Sequence, residues 1–124
     1  MSEVTKLSGH HKESFDTSNI EKIKHVVDCF RTLDSEMQAQ TMTVFLIVVE
    51  AHPTPVPMPE IARAAGLAQS STSRNIAALG TYHRKGQPGL KLLDSYEDPM
   101  DRRTKLVKLT PRGERFATIL MKGE

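Results

Sequence analysis

The stretch EDPMDRRTKLVKLTPRG, residues 97–113, decides the fold. Acids, a proline and paired arginines crowd its first half, basic and apolar residues then alternate, and Thr-Pro-Arg-Gly stops the run. The alternation in TKLVKL, 104–109, predicts a β-strand. LKLLDSY, 90–96, predicts a second strand, which leaves EDPMDRR as the loop of a hairpin. Leu106, Val107 and Leu109 are expected to cover a core, with Lys105 and Lys108 in water. Pro111 suits the first turn of a final helix carrying Phe116, Ile119 and Leu120.

Upstream of the hairpin lies PEIARAAGLAQSSTSRNIAAL, residues 59–79. Pro59 opens a short helix with Ile61, Ala62 and Ala65 on its apolar face, and Gly66 is a natural helix stop. A second helix runs from about Gln69 to Leu79, with Ile76 and Leu79 facing inward. Two short helices joined by a glycine-containing turn have the spacing of a helix-turn-helix. The second helix starts on Gln69, Ser70, Ser71, Ser73, Arg74 and Asn75, side chains that add little to a purely structural helix. With the hairpin, this predicts a winged helix-turn-helix, a mainly α fold with a small β-hairpin (α+β).

Residues 1–17 are polar and predict a flexible N-terminal arm. Residues 18–124 form the domain. Ile20, Ile23, Val27, Phe30 and Leu33 recur at intervals of three and four, the mark of one helical face over 18–34. Ser18 with Glu21 fits a capping box. A second helix is expected from Met37 to about His52. Its run VFLIVV, 44–49, has strand propensity, but the pattern extends back to Met37, and Pro53 ends it. PTPVP, 53–57, reads as a stiff extended connector, and TYHRKGQPG, 81–89, as a loop.

Charge is uneven. Residues 1–58 hold five Lys/Arg and eight Asp/Glu, and residues 59–124 hold twelve and seven, giving −3 and +5 against a total of +2. A basic half suits a polyanionic partner. Lys91, Arg102, Arg103, Lys105 and Lys108 are expected to make the hairpin positive. No apolar run nears the roughly 20 residues that span a bilayer, so no membrane partner is expected. The polar N-terminus has no signal core and Cys29 is the single cysteine. The expected location is a reducing cytoplasm, on the nucleoid.

Residues 37–120 resemble the MarR family of bacterial transcription regulators, on MPEIARAAGLAQSSTSRNIAAL and GLKLLDSYEDPMDRRTKLVKLTPRGERF. The family's wing reads D-x-R-D-x-R, then a strand and L-T-x-x-G. Here Asp98, Asp101, Arg103, Leu109, Thr110 and Gly113 match, and Met100 replaces the first arginine. Ala68 stands in place of a Ser/Thr cap and Thr72 in place of an apolar residue. The link to the wing is longer than usual, and about twelve residues follow Thr110 where the family has long dimerisation helices. The resemblance implies sequence-specific binding to double-stranded DNA, as a homodimer on a palindrome, with repression relieved by a small-molecule effector or oxidation. No cofactor is expected, and the spacing of the five histidines predicts no metal site.

On this reading Gln69, Ser70, Ser71, Ser73, Arg74 and Asn75 meet the major groove. Arg74 has the geometry for guanine and Gln69 for adenine. Lys91, Lys105, Lys108 and the amides of the helix start hold phosphates. Asp98 and Asp101 orient Arg102 or Arg103 toward a minor groove. Ile20, Ile23, Val27 and Phe30 form the dimer face. The alternative is a winged-helix adaptor that binds another protein through the acidic half. Neither a Gly-rich phosphate loop, a nucleophile motif nor metal-ligand histidine spacing is present, so no enzyme is expected. Cys29 reads as a packed small hydrophobe rather than an oxidant sensor, with no Lys, His or helix N-terminus to lower its pKa.

Overall fold

The structure, a computed structural model, describes residues 14–84 and 87–122. Among these residues five helices and five strands follow in the order α1 (Ile20–Leu33), α2 (Ala39–Ala51), β1 (Val56–Pro57), α3 (Met58–Ala65), α4 (Gln69–Leu79), β2 (Tyr82–Arg84), β3 (Gln87–Pro88), β4 (Leu93–Asp98), β5 (Asp101–Leu109) and α5 (Pro111–Lys122). β1, β5 and β4 form an antiparallel sheet with β5 central. The fold is a winged helix-turn-helix, as the sequence predicts. Most of the expected N-terminal arm, residues 1–13, lies outside the described residues.

The VFLIVV run is helical, and Val44, Phe45 and Val48 are buried on one side of α2. Phe45 meets Phe30 of α1 and Phe116 of α5 edge-on, at ring-centroid separations of 6.0 and 5.6 Å, and Phe30 meets Phe116 at 5.5 Å. This triangle joins three helices distant in sequence, and edge-to-face rings gain beyond their burial alone. Ile61, Leu79, Leu92, Leu93 and Val107 carry the core on under the helix-turn-helix and the sheet.

Gly66 stops α3 in the left-handed region, at φ 69°, and its amide with that of Leu67 closes the helix end. The Leu-Thr-Pro-Arg-Gly ending has an equally local cause. Thr110 Oγ donates to the Lys91 carbonyl and accepts the Gly113 amide, so one side chain caps α5 and ties it to the hairpin base. A Cβ on Gly113 would lie 2.1 Å from the Leu92 carbonyl oxygen, so the helix start approaches the chain too closely for any other residue.

Several boundaries differ from the sequence reading. No capping box forms: α1 starts after Asn19 without a side-chain cap, and the Ser18 amide instead donates to Asp16. The second helix starts at Ala39, not Met37. PTPVP is more than a connector, because Val56 and Pro57 pair with Val107 and Leu106. The hairpin's first strand begins at Leu93, since Leu90, Lys91 and Leu92 give their amides to carbonyls at the end of α4. The link between α4 and the wing holds a small ladder, β2 with β3.

Candidate nucleic-acid interface

Helix α4 has the limits the sequence predicts, and its phase separates the candidate residues. Gln69, Ser70, Ser73 and Arg74 are exposed and Ser71 is half-buried. Arg74 contacts the Ser71 hydroxyl at 3.3 Å, leaving most of its fork in solvent. Asn75 is a correction. It is buried with Thr72, Ile76 and Leu79, and its Oδ1 accepts from the buried Thr41 hydroxyl of α2. Its Nδ2 donates to the Ser71 carbonyl. Asn75 therefore docks α4 on α2 and does not face outward. Ala68 leaves the first turn of α4 without a side-chain cap, so its amides point outward unclaimed by that residue.

The hairpin brings the other candidates together. β4 and β5 pair regularly from Leu93 with Leu109 to Glu97 with Lys105, then the register jumps so that Asp98 faces Asp101. Arg102, Arg103 and Thr104 are left without strand partners. They form a bulge, which re-aims side chains. The Asp101 carboxylate fills it: it accepts the Arg103 amide at 3.2 Å and the Thr104 hydroxyl at 3.1 Å, and lies 3.5 Å from Arg103 Nε. Asp101 thus holds Arg103, not Arg102, while the Arg103 side chain stays 94% exposed. Asp98 has a different partner from the expected one. It accepts the Met100 amide and shapes the turn.

The expectation of a positive hairpin needs refinement. Between Asp94 and Lys108 there are four acids and four bases, and Asp94 and Glu97 stand opposite Lys108 and Lys105. The cations all lie on β5 and the acids mainly on β4, so positive charge is a property of one edge. Lys108 lies over the Tyr96 ring, 5.4 Å from its centroid. Lys105 and Ser73 line one cleft between the hairpin and α4, which joins the two candidate surfaces. Lys91 is exposed at φ 61°, at the foot of the hairpin.

Away from the wing, Ile20, Ile23 and Val27 are exposed on α1, and Ile119 and Met121 are exposed on α5. Phe30 is a second correction: it is 1% exposed, within the domain's own core. Only the last turns of α1 reach the phenylalanine triangle, while its first turns run past the domain. His25 ties the two helices through the Ile119 carbonyl at 2.8 Å. A groove of about 800 Å³, unforeseen from sequence, runs between α1 and α5 past Lys24, His25, Cys29, Arg112 and Arg115. His25 approaches Cys29 Sγ at 3.5 Å, a neighbour the sequence reading overlooked. Burial, and then Asp28, nevertheless push the Cys29 thiol above its ordinary pKa.

No family model and no curated protein matches the chain. Solved structures do. RV1404 from Mycobacterium tuberculosis superposes with a TM-score of 0.64 at 20% identity, over 86% of this chain and 66% of that one. An S. aureus MepR mutant bound to an oligodeoxyribonucleotide gives 0.65 at 17% identity, over 88% and 76%. BpsR from Bordetella bronchiseptica, whose DNA binding is regulated by 6-hydroxynicotinic acid, gives 0.56 at 23% identity, over 84% and 73%. The chain thus spans about two thirds to three quarters of these proteins. At such identities the likeness is one of architecture. The architecture of this chain is a winged helix-turn-helix, the fold it shares with these solved structures.

Proposed function

We propose that this chain is a transcriptional repressor that binds duplex DNA on a palindromic site as a homodimer, with α4 in the major groove and the β4–β5 wing in the minor groove. One observation carries the reading. The exposed face of α4 is small and polar around one free-standing arginine, Arg74, and it adjoins the cationic edge of a hairpin whose tip arginine is held by Asp101. A helix that served only packing would gain nothing from that face, and an adaptor surface would not need the wing. On this reading Lys91, Lys105 and Lys108 meet phosphates, and Gln69 and Arg74 read base edges.

The homodimer reading rests on Ile20, Ile23 and Val27, an exposed apolar edge at the end of the molecule away from the wing. Ile119 and Met121 on α5 are exposed as well. Two copies joined there would set their α4 helices about 34 Å apart, one DNA turn. The groove between α1 and α5 takes its α1 lining from Lys24, His25 and Cys29, and an effector seated in it would shift α1, which carries the dimer face, against the domain. The regulation of BpsR by a small acid supports such a role. The test is gel retardation on random-sequence duplex at low and high salt, with mass measured by light scattering. Retardation that weakens with salt, by a species of dimeric mass, is expected. No retardation at low salt would leave the adaptor reading instead.

A further inference from the structure

Among the described residues seven large apolar side chains are exposed: Phe15, Ile20, Ile23, Val27, Met100, Ile119 and Met121. Six lie on α1, on α5 or just before α1, at the end assigned above to the dimer. Met100 stands apart. It sits on the turn between β4 and β5 and is 92% exposed. On β5 only Val107 and Leu109 are buried, so the tip reaches six or more residues past the core, roughly 20 Å at about 3.3 Å per residue.

The tip is held in shape. Pro99 fixes one backbone angle of the turn. Asp98 accepts the Met100 amide at 2.9 Å, and Asp101 holds the bulge that follows. Both tip acids therefore turn their carboxylates toward backbone amides, while Arg102 and Arg103 project outward. What the tip presents is an apolar thioether backed by two guanidinium groups. Arginines suit the negative potential of a narrow minor groove. An apolar side chain among them suits the gap between two stacked base pairs, which such wedges partly unstack. Methionine is long, unbranched and polarisable, and adapts to an irregular slot.

We infer that Met100 is a minor-groove wedge: the wing inserts its thioether at one base step in each half-site, and Arg102 and Arg103 hold the flanking backbone and groove. The wedge rests on the DNA-binding reading above. It adds a kink at a position that α4 does not touch, favouring pyrimidine–purine steps, which unstack most easily.

The test uses the full chain and a duplex selected by it from a random library, with 2-aminopurine replacing one adenine at a time. Unstacking brightens this base, and end-to-end energy transfer reports the bend. Wild type should brighten one position per half-site and shorten the end-to-end distance. Met100→Ala should lose both signals and bind about tenfold more weakly, whereas Met100→Leu should keep them. Because Met100 touches no core, circular dichroism should be unchanged in either variant. If the chain binds tightly but no position brightens, or if Met100→Ala matches wild type, the wedge is wrong and the DNA-binding reading survives. If no duplex is retained by wild type at low salt, both fail together. If Met100→Ala loses affinity with no change in brightening, the residue makes a surface contact and the wedge is again wrong.

Discussion

Removing Asp101 separates two accounts of the wing. In one the hairpin is a diffuse positive edge, and in the other it presents a single oriented arginine. Asp101→Ala deletes a negative charge near the DNA. A like charge at 4 Å costs about 1 kcal/mol in water, and less with screening. On charge alone the variant should bind tighter, by at most that amount. Yet the same carboxylate accepts the Arg103 amide and the Thr104 hydroxyl and faces Arg103 Nε at 3.5 Å. Without it, residues 102–104, which have no strand partners, move freely. Fixing backbone again on binding costs about 1–2 kcal/mol per residue, and two residues are directly held. About 2–4 kcal/mol lost against at most about 1 gained leaves a net loss of at least about 1 kcal/mol, or roughly five-fold or more in Kd. Asp101→Asn should fall between, since its carbonyl oxygen can still accept the Arg103 amide. Stability should barely change, because an exposed ion pair contributes about 0–1 kcal/mol. Fluorescence anisotropy with a labelled duplex at constant salt measures the effect, with circular dichroism as the fold control. Tighter binding by Asp101→Ala would refute the orienting role and make Asp101 a solvated loop acid.

Arg74→Ala should weaken specific binding by about 1–3 kcal/mol and relax preference at one base pair per half-site; a binding-site selection with unchanged specificity would show that Arg74 reads no base. Thr41→Val leaves the buried Asn75 oxygen without its donor and should cost about 1–3 kcal/mol of stability. Combined with Asn75→Leu it should cost less than the sum of the single changes, and strict additivity in urea denaturation would contradict the coupling. For Cys29 the raised pKa lowers the thiolate fraction at every pH. Alkylation at neutral pH should therefore be slower than for free cysteine and rise only in alkali; fast labelling at neutral pH would count against a packing role.

The parts of the fold that were legible in sequence have local causes. Pro59 and Gly66, the latter with its left-handed φ, bracket the first helix of the helix-turn-helix. The alternation of β5 and the Thr110–Gly113 cap mark the wing. That cap takes its form because Gly113 lies against the Leu92 carbonyl. Other features were not legible because distant partners create them. β1 has two residues, one a proline, and becomes a strand only because Val107 lies opposite. Phe30 continues the apolar spacing of Ile23 and Val27, so sequence gives no sign that Phe45 and Phe116 claim it.

The candidate site divides in the same way. Exposure of Gln69, Ser70, Ser73 and Arg74 follows from polarity, and Arg103 follows from the wing pattern. Asn75 was misassigned because α4 has few apolar residues to fix its phase. Thr72, taken as inward, would have carried Asn75 inward with it at a spacing of three. The bulge at 102–104 was invisible because it depends on where pairing with β4 breaks, and that choice gives Asp101 to Arg103 rather than Arg102.

The central claim is most directly tested by the salt dependence of binding to duplex DNA. Lys91, Lys105 and Lys108 on each of two protomers give six phosphate contacts. Log K should then fall against log salt with a slope of about −5. Changing all three lysines to alanine should flatten that slope to the remainder that Arg102 and Arg103 contribute, while Arg74→Ala leaves it unchanged. A chain that fails to bind duplex at low salt, or one whose slope ignores the three lysines, would contradict the account.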